Sequence, residues 1–272
     1  MLKLFKPSDE TKLVLNTLDP ASLIRTLSYI GGGAHGKVYK IYNMLDDQVY
    51  SLKKIDLMNE ISSNDSFSSL KDNSQLLLRE IRVLAQLDHP NILRYNTSWI
   101  EFDKRKRPIL CIQTKFYEHT LTDIIFNDNL NKENIWKDII NAIKYLHSKG
   151  IMHRDLKSDN IFVDTNMQNA YVGDFGLAKY CENNDSRIMS DLYMGTELYL
   201  PPESKSDTPF YTFESDIYSL GIIYLQLFSE CQSLMEFIFI FKTGIDNFNV
   251  PDKIKLMLSN EPSKRPKIND IV

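Results

Sequence analysis

The chain has little cysteine and none of it paired. Cys111, Cys181 and Cys231 are the only cysteines in 272 residues, and no two stand as C-x-x-C. An odd count without that spacing argues against a disulfide framework and a zinc site, and for a reducing compartment. Long apolar runs are also lacking. The two most apolar stretches, SLGIIYLQLF (219–228) and LMEFIFIF (234–241), fall short of the roughly 18 residues that span a bilayer, so both read as buried core. The start, MLKLFKPSDE, has no apolar run of signal-peptide length. Nor does one sign of charge prevail: 32 Lys and Arg against 36 Asp and Glu leave −4. That balance gives no electrostatic footprint for nucleic acid or a membrane. The one dense basic run, DKRKRP, is short and reads as a solvated turn.

What is present is ordinary globular composition, 43% hydrophobic and 25% charged, enough for one large domain or two small lobes. TLSYI, KVYKIYN and QVYSLKKI alternate as strands do, and MLDDQ supplies the turn between the last two. Residues 58–75 are rich in Ser, Asn and Asp and read as a connection. LLLREIRVLAQL (76–87) has helical spacing; Asn91–Glu101 and Ile109–Phe116 read as strands again. Beyond about residue 121 the pattern is helical, with helices expected over 131–150, closed by Gly150, and over 214–229. A strand-rich part followed by a helix-rich part predicts two lobes with a cleft between them, where ligands commonly bind.

Three motifs carry chemistry. IGGGAHGKV (30–38) holds Gly31, Gly33 and Gly36 in G-x-G-x-x-G spacing. A dinucleotide fingerprint would lead into a helix, whereas here a strand-like run follows. A glycine-rich hairpin lets backbone N–H groups approach phosphates closely. Lys53, on the next strand, can act as a point charge on phosphates; Lys54 faces the other way, and Glu80 can hold Lys53 in place. In IMHRDLKSDN (151–160), read with DFG at 174–176, Asp155 can accept a proton, Lys157 can neutralise phosphoryl charge, and Asn160 and Asp174 offer oxygens to Mg²⁺. Those residue types suit phosphoryl transfer, which needs positioning and electrostatic stabilisation.

With GGGAHGKV, SLKK, Glu80, HRDLKSDN, DFG, PPE and SKRP in order, the chain resembles a eukaryotic protein kinase over residues 24–272. The resemblance implies the α+β bilobal kinase fold: an extension at 1–23, a β-rich lobe at 24–117 and a helical lobe at 118–272. It implies ATP and Mg²⁺. Ile30, Gly31, Gly32, Gly33, Ala34, His35, Gly36, Lys37 and Val38 would cover the nucleotide. Lys53 would hold the α- and β-phosphates and pair with Glu80. Thr114 would guard the back of the adenine pocket, and Lys115, Phe116 and Tyr117 would form the hinge. Asp155 would be the catalytic base, assisted by Lys157; Asn160 and Asp174 would bind the metal. Glu203 would pair with Arg265, and Asp216 would anchor the catalytic-loop backbone. Arg154 beside Asp155 implies control by a phosphate on the activation loop, which offers Ser186, Ser190, Tyr193 and Thr196. Ser51 in place of the usual Ala, and Pro202 before Glu203, depart from the family pattern without removing a reacting group.

Lys157 in HRDLK follows the Ser/Thr-specific pattern. HPNILRYNTSWIE (89–101), with Trp99, and LCIQTKFYEHTLTDII (110–125) resemble the kinases that phosphorylate the α subunit of translation initiation factor 2. This implies a cytoplasmic enzyme with that factor as protein partner and a homodimer as an option. The stretch between Asp216 and Arg265 is shorter than the family usually has, in the region where that group docks the factor. A different Ser/Thr kinase of cell-cycle or signalling type, and a non-catalytic decoy module, are the alternatives; the intact reacting groups disfavour the latter.

Overall fold

A computed structural model describes residues 23–33, 36–57, 81–176, 178–180, 188–189, 197–244 and 248–271. They divide into two compact units. One holds the described residues up to 57 together with Tyr95–Phe116; the other holds residues 81–94 and those from Tyr117 onward. The expectations for Ala34, His35 and Glu80, and for the four candidate phosphorylation sites Ser186, Ser190, Tyr193 and Thr196, fall outside the described residues.

The first unit is a five-stranded antiparallel sheet in the order β1-β2-β3-β5-β4, with β1 at Ile24–Gly33, β2 at Gly36–Asn43, β3 at Gln48–Asp56, β4 at Tyr95–Phe102 and β5 at Pro108–Lys115. Alternation along each strand separates two faces. Ile41, Leu52 and Cys111 pack together, with Tyr39, Tyr50 and Trp99 against them. Burial pushes the Cys111 thiol up to about 12, so it is a small core hydrophobe and not a nucleophile. The DKRKRP turn is built by Asp103, whose Oδ1 accepts the N–H groups of Arg105 and Arg107 at 2.8 Å each. Arg107 folds back onto Asp103 and Asp56 at 2.8 and 2.9 Å.

Gly36 opens β2 at φ +117°. A side chain there would be strained, and its Cβ would lie 2.6 Å from the Lys54 carbonyl oxygen, which belongs to rigid backbone. Gly36→Ala is therefore expected to destabilise the protein by about 1–3 kcal/mol. Equilibrium denaturation reads this, and an unchanged midpoint would contradict it.

The second unit is mainly helical. Its helices are α1 (Leu121–Ile124), α2 (Lys132–Ser148), α3 (Phe213–Phe228), α4 (Leu234–Thr243) and α5 (Asp252–Met257). Asn131 caps α2 by accepting the Asn134 N–H at 3.1 Å, and Gly150, at φ +71°, closes its far end. Ile135, Ile139, Ile140, Ile143 and Leu146 bury one stripe of α2. α3 is buried nearly throughout, its polar Ser215, Asp216, Ser219 and Gln226 included, as expected of a central helix. Short strands complete the unit: β6 (His119–Thr120), β8 (Ile161–Val163) and β9 (Ala170–Val172) form one sheet; β7 (Ile151–Met152) pairs with β10 (Lys179–Tyr180); β11 (Ile188–Met189) pairs with β12 (Phe210–Tyr211). No helix among the described residues is long and apolar enough to cross a membrane.

Two expectations need correction. Residues 91–94 do not join a strand of the large sheet. Ile92 bridges Val172, Leu93 N–H donates to Val172 O at 2.8 Å, and Val172 N–H donates to Asn91 O at 2.9 Å, so β4 starts only at Tyr95. The stretch 234–241 is not buried core either. Phe237 alone of α4 is fully buried, while Met235 and Phe239 are 78% and 70% exposed. These two stand four residues apart, on a stripe that no described residue covers.

Candidate active site

In the first unit, register places the expected nucleotide-binding side chains on one face. Val38 is paired with Lys53, and Lys53 with Ile112; Ser51 is paired with Lys40 and with Thr114. Directly opposed residues share a face, as do residues two apart. Val38, Ser51, Lys53 and Thr114 therefore project together. Lys54 projects the other way, where its Nζ meets Glu101 at 2.5 Å. Gly31 lies opposite Val38, Gly32 opposite Lys37, and Gly33 opposite Gly36, so the glycine-rich stretch is the end of a β-hairpin and not a strand-to-helix turn. Ile30 is half exposed on β1. At the far end of the sheet, Lys115 ends β5 and the Lys40 ammonium lies 4.2 Å from the Phe116 ring centre.

In the second unit, Tyr117 rests on Tyr171, with ring centres 4.4 Å apart, and burial raises its phenol pKa. The loop 153–160 is set from beneath by Asp216 on α3. Asp216 Oδ2 accepts the His153 N–H and meets His147 Nε2, each at 2.9 Å; Oδ1 accepts the Arg154 N–H at 2.9 Å. The His153 ring is buried and joins the loop at two further points. Its Nδ1 accepts the Asp155 N–H at 3.3 Å, so the ring proton sits on Nε2, 3.0 Å from Gly173 O. That bond ties the loop to the DFG segment. Arg154 and Asp174 both adopt left-handed backbone, at φ +69° and +58°. Such strain, about 1–3 kcal/mol per residue, persists only where surrounding contacts over-determine it.

Three of the groups expected from the sequence, Asp155, Lys157 and Asn160, meet in this loop. Asp155 Oδ2 receives the Lys157 ammonium at 2.8 Å and the Asn160 amide at 3.0 Å; the same amide donates to Asp155 O at 2.8 Å. One carboxylate oxygen is thus held by two donors, and Oδ1 is left to accept a proton. The Asn160 Nδ2 is committed to Asp155, which turns its Oδ1 toward other partners. Gly173 N–H donates to Asn160 O at 2.9 Å, so Asp174 follows one residue from that anchor. An amide oxygen and a carboxylate fit Mg²⁺, which takes few protein ligands and completes its shell from phosphates and water. No cluster of three His, Cys, Asp or Glu side chains suited to a metal exists among the described residues.

Behind the loop, Arg265 clamps Glu203 with two bonds of 2.7 Å, both side chains almost fully buried. Ser215 Oγ donates to the same carboxylate at 2.8 Å. The expected Glu203–Arg265 pair and the Asp216 anchor are both present. The Arg154 guanidinium lies 4.8 Å from the Tyr211 ring centre. The sequence reading missed His147, whose only signal was its place near the end of a helix that buries its other face. It also missed Ser158, Tyr199 and Gln226, which carry no spacing signature.

Burial alone would raise the Asp216 pKa. The His147 hydrogen bond and charge, with His153 and the Arg154 N–H, outweigh it, and the net shift is below the ordinary 3.8. A depressed folded-state pKa gives stability that is fully present above the unfolded value and lost as pH falls through the folded one. Thermal melting is therefore expected to drop below about pH 4 more steeply in the wild type than in Asp216→Asn. Parallel slopes would contradict the assignment.

A hairpin of glycines, one sheet face carrying Lys53, and a loop that presents Asp155 beside Lys157 and Asn160 define a phosphoryl-transfer domain. The protein kinase domain family matches residues 24–272, and the chain belongs to that family, on its serine/threonine side. The rat interferon-induced, double-stranded RNA-activated protein kinase is 30% identical over 98% of this chain and 54% of its own length. The fission-yeast eIF-2-alpha kinase GCN2 is 26% identical over 88% of the chain and 21% of its own. A receptor-like protein kinase of Ipomoea nil is 31% identical over 75% of the chain and 18% of its own. The chain thus spans about half the length of the rat protein, and less of the others. Kinases of this family use ATP, typically with Mg²⁺.

Proposed function

We propose that this chain transfers the γ-phosphate of ATP to a serine or threonine of the α subunit of translation initiation factor 2. The observation that carries the chemistry is the Asp155 carboxylate, with Oδ2 fixed by Lys157 and Asn160 and Oδ1 left as the base. The substrate hydroxyl gives its proton to Asp155 Oδ1 as its oxygen forms the new bond to γ-phosphorus. The bond from γ-phosphorus to the bridging oxygen breaks, and its electron pair leaves on ADP. Lys157 offsets charge on the phosphoryl group in flight. Lys53 holds the α- and β-phosphates, the glycine hairpin from Ile30 to Val38 covers them, and Thr114 to Tyr117 receive the adenine. Asn160 and Asp174 would hold Mg²⁺, which when bound would supply positive charge against the phosphates.

The choice of protein substrate is supported by the likeness to a kinase named for this factor across most of the chain, and by Trp99 on β4 within HPNILRYNTSWIE. The test is labelling of purified factor α subunit beside a generic Ser/Thr substrate. Labelling of the factor at one site, with kcat/KM at least about tenfold above the generic substrate, is expected. Labelling of the generic substrate alone would remove the factor and leave a kinase of other specificity.

A further inference from the structure

A buried line of hydroxyls runs through the second unit beside the reacting groups. Thr122 Oγ1 lies 2.6 Å from Ser158 Oγ, Ser158 Oγ lies 2.7 Å from Tyr199 OH, and Tyr199 OH donates to Gln226 Oε1 at 3.0 Å. Ser158 and Gln226 are almost fully buried, and Tyr199 nearly so. Gln226 Oε1 can only accept, so the Tyr199 proton is spent on it. Tyr199 must then accept from Ser158, and Ser158 from Thr122. Each inner hydroxyl gives one bond and takes one, an arrangement in which neighbours strengthen one another. Burial raises the Tyr199 phenol pKa, and its hydrogen bonds to Ser158 and Gln226 oppose that rise.

The line joins four separate pieces of chain. Thr122 is on α1, Ser158 follows Lys157 directly in the catalytic loop, Tyr199 ends the short helical turn Glu197–Tyr199, and Gln226 is on α3. Tyr199 is held a second time, because its carbonyl oxygen accepts the Ser219 hydroxyl at 3.0 Å. Tyr199, Leu200 and Pro201 also line, with Arg154, Asp155 and Leu156, a cavity of about 10 Å³, room for about one water molecule. Residues 199–201, near the end of the activation segment that runs from Asp174 to Glu203, and the catalytic loop are therefore packed and hydrogen-bonded together.

We infer that Ser158 and Tyr199 are positioning residues: their hydroxyl bond locks the catalytic loop to the end of the activation segment, so that Asp155 and Lys157 keep their working geometry only while that segment is seated. The inference rests on the reading of Asp155 as the base. Neither hydroxyl touches the reacting atoms; each acts through the backbone that carries Lys157 and Asn160. A displacement of the order of 1 Å in such groups is enough to slow a positioned reaction.

The test is a double-mutant cycle on the full chain. Ser158→Ala, Tyr199→Phe and the double variant are assayed for protein phosphorylation, with melting temperature measured alongside. Each single variant is expected to lose about tenfold in kcat, with KM for ATP within about twofold of wild type. The double variant is expected to lose no more than the worse single, because either change opens the same link. Thr122→Val removes only the first donor and is expected to cost less than either. Losses that multiply in the double variant, unchanged kcat in the single variants, or a loss explained by the unfolded fraction at the assay temperature would each overturn the inference. Asp155→Asn is run in parallel: wild-type kcat there would show that the reading of the base had failed, whereas the Ser158–Tyr199 coupling is measured with Asp155 intact.

Discussion

Asp155→Asn is expected to lower kcat for protein phosphorylation by about 10³-fold. The substitution keeps the size of the side chain and an oxygen for the Lys157 ammonium, which lies 2.8 Å from the native carboxylate. It removes the one oxygen able to take the substrate proton. The Asn160 amide would still donate to the residue 155 carbonyl, a bond of 2.8 Å that does not involve the altered side chain. The loop should therefore keep its shape, and both the melting temperature and the dissociation constant for ATP should match wild type. Steady-state kinetics with calorimetric titration of ATP separates the two. A variant that retained more than about a tenth of wild-type kcat would mean that the proton goes elsewhere.

The largest stability effect is expected from Arg265→Ala. Glu203 is almost fully buried and meets its counter-charge through two parallel bonds from Arg265. Removing the arginine strands a carboxylate that keeps, among the described residues, only the Ser215 hydroxyl. It also frees Glu214 O and Ser259 O, each of which accepts from the same guanidinium. The cost of breaking such a pair from one side is about 3–5 kcal/mol, a large share of the 5–15 kcal/mol that holds a typical domain. Arg265→Lys should recover less than half of it, since a lysine ammonium cannot reproduce the planar fork. Replacing both partners by leucine should be milder than Arg265→Ala alone, because no buried charge remains. Urea denaturation of the three variants reads the comparison. A loss below about 1 kcal/mol for Arg265→Ala would contradict the account.

Much of the site is legible in the sequence because its groups are polar residues at fixed spacing within one loop. Asp155, Lys157 and Asn160 lie within six positions, and short loops bring such neighbours together whatever surrounds them. The five strands of the first unit are legible from alternation, and their antiparallel register then places Val38, Lys53 and Thr114 on one face. The Glu203–Arg265 and Asp216 anchors became legible only through the family resemblance, since each spans about fifty residues or more of chain. The hydroxyl line from Thr122 to Gln226 was not legible at all: serine, threonine and tyrosine carry no spacing that reveals a partner on another element. α4 misled for the opposite reason. Apolarity on all sides predicts burial, yet Phe237 alone turns fully inward, against Phe241 and Phe248, while Met235 and Phe239 face away. The segment 91–94 misled because it runs directly into a true strand, although Asn91 and Leu93 spend their backbone groups on Val172.

The most direct test of the central claim is phosphoamino-acid analysis after incubating the purified chain with γ-labelled ATP and a protein offering serine, threonine and tyrosine. The account predicts label on serine or threonine, dependent on Mg²⁺ and lost when the metal is chelated. Label on tyrosine alone, or transfer that persists without a divalent cation, would contradict it.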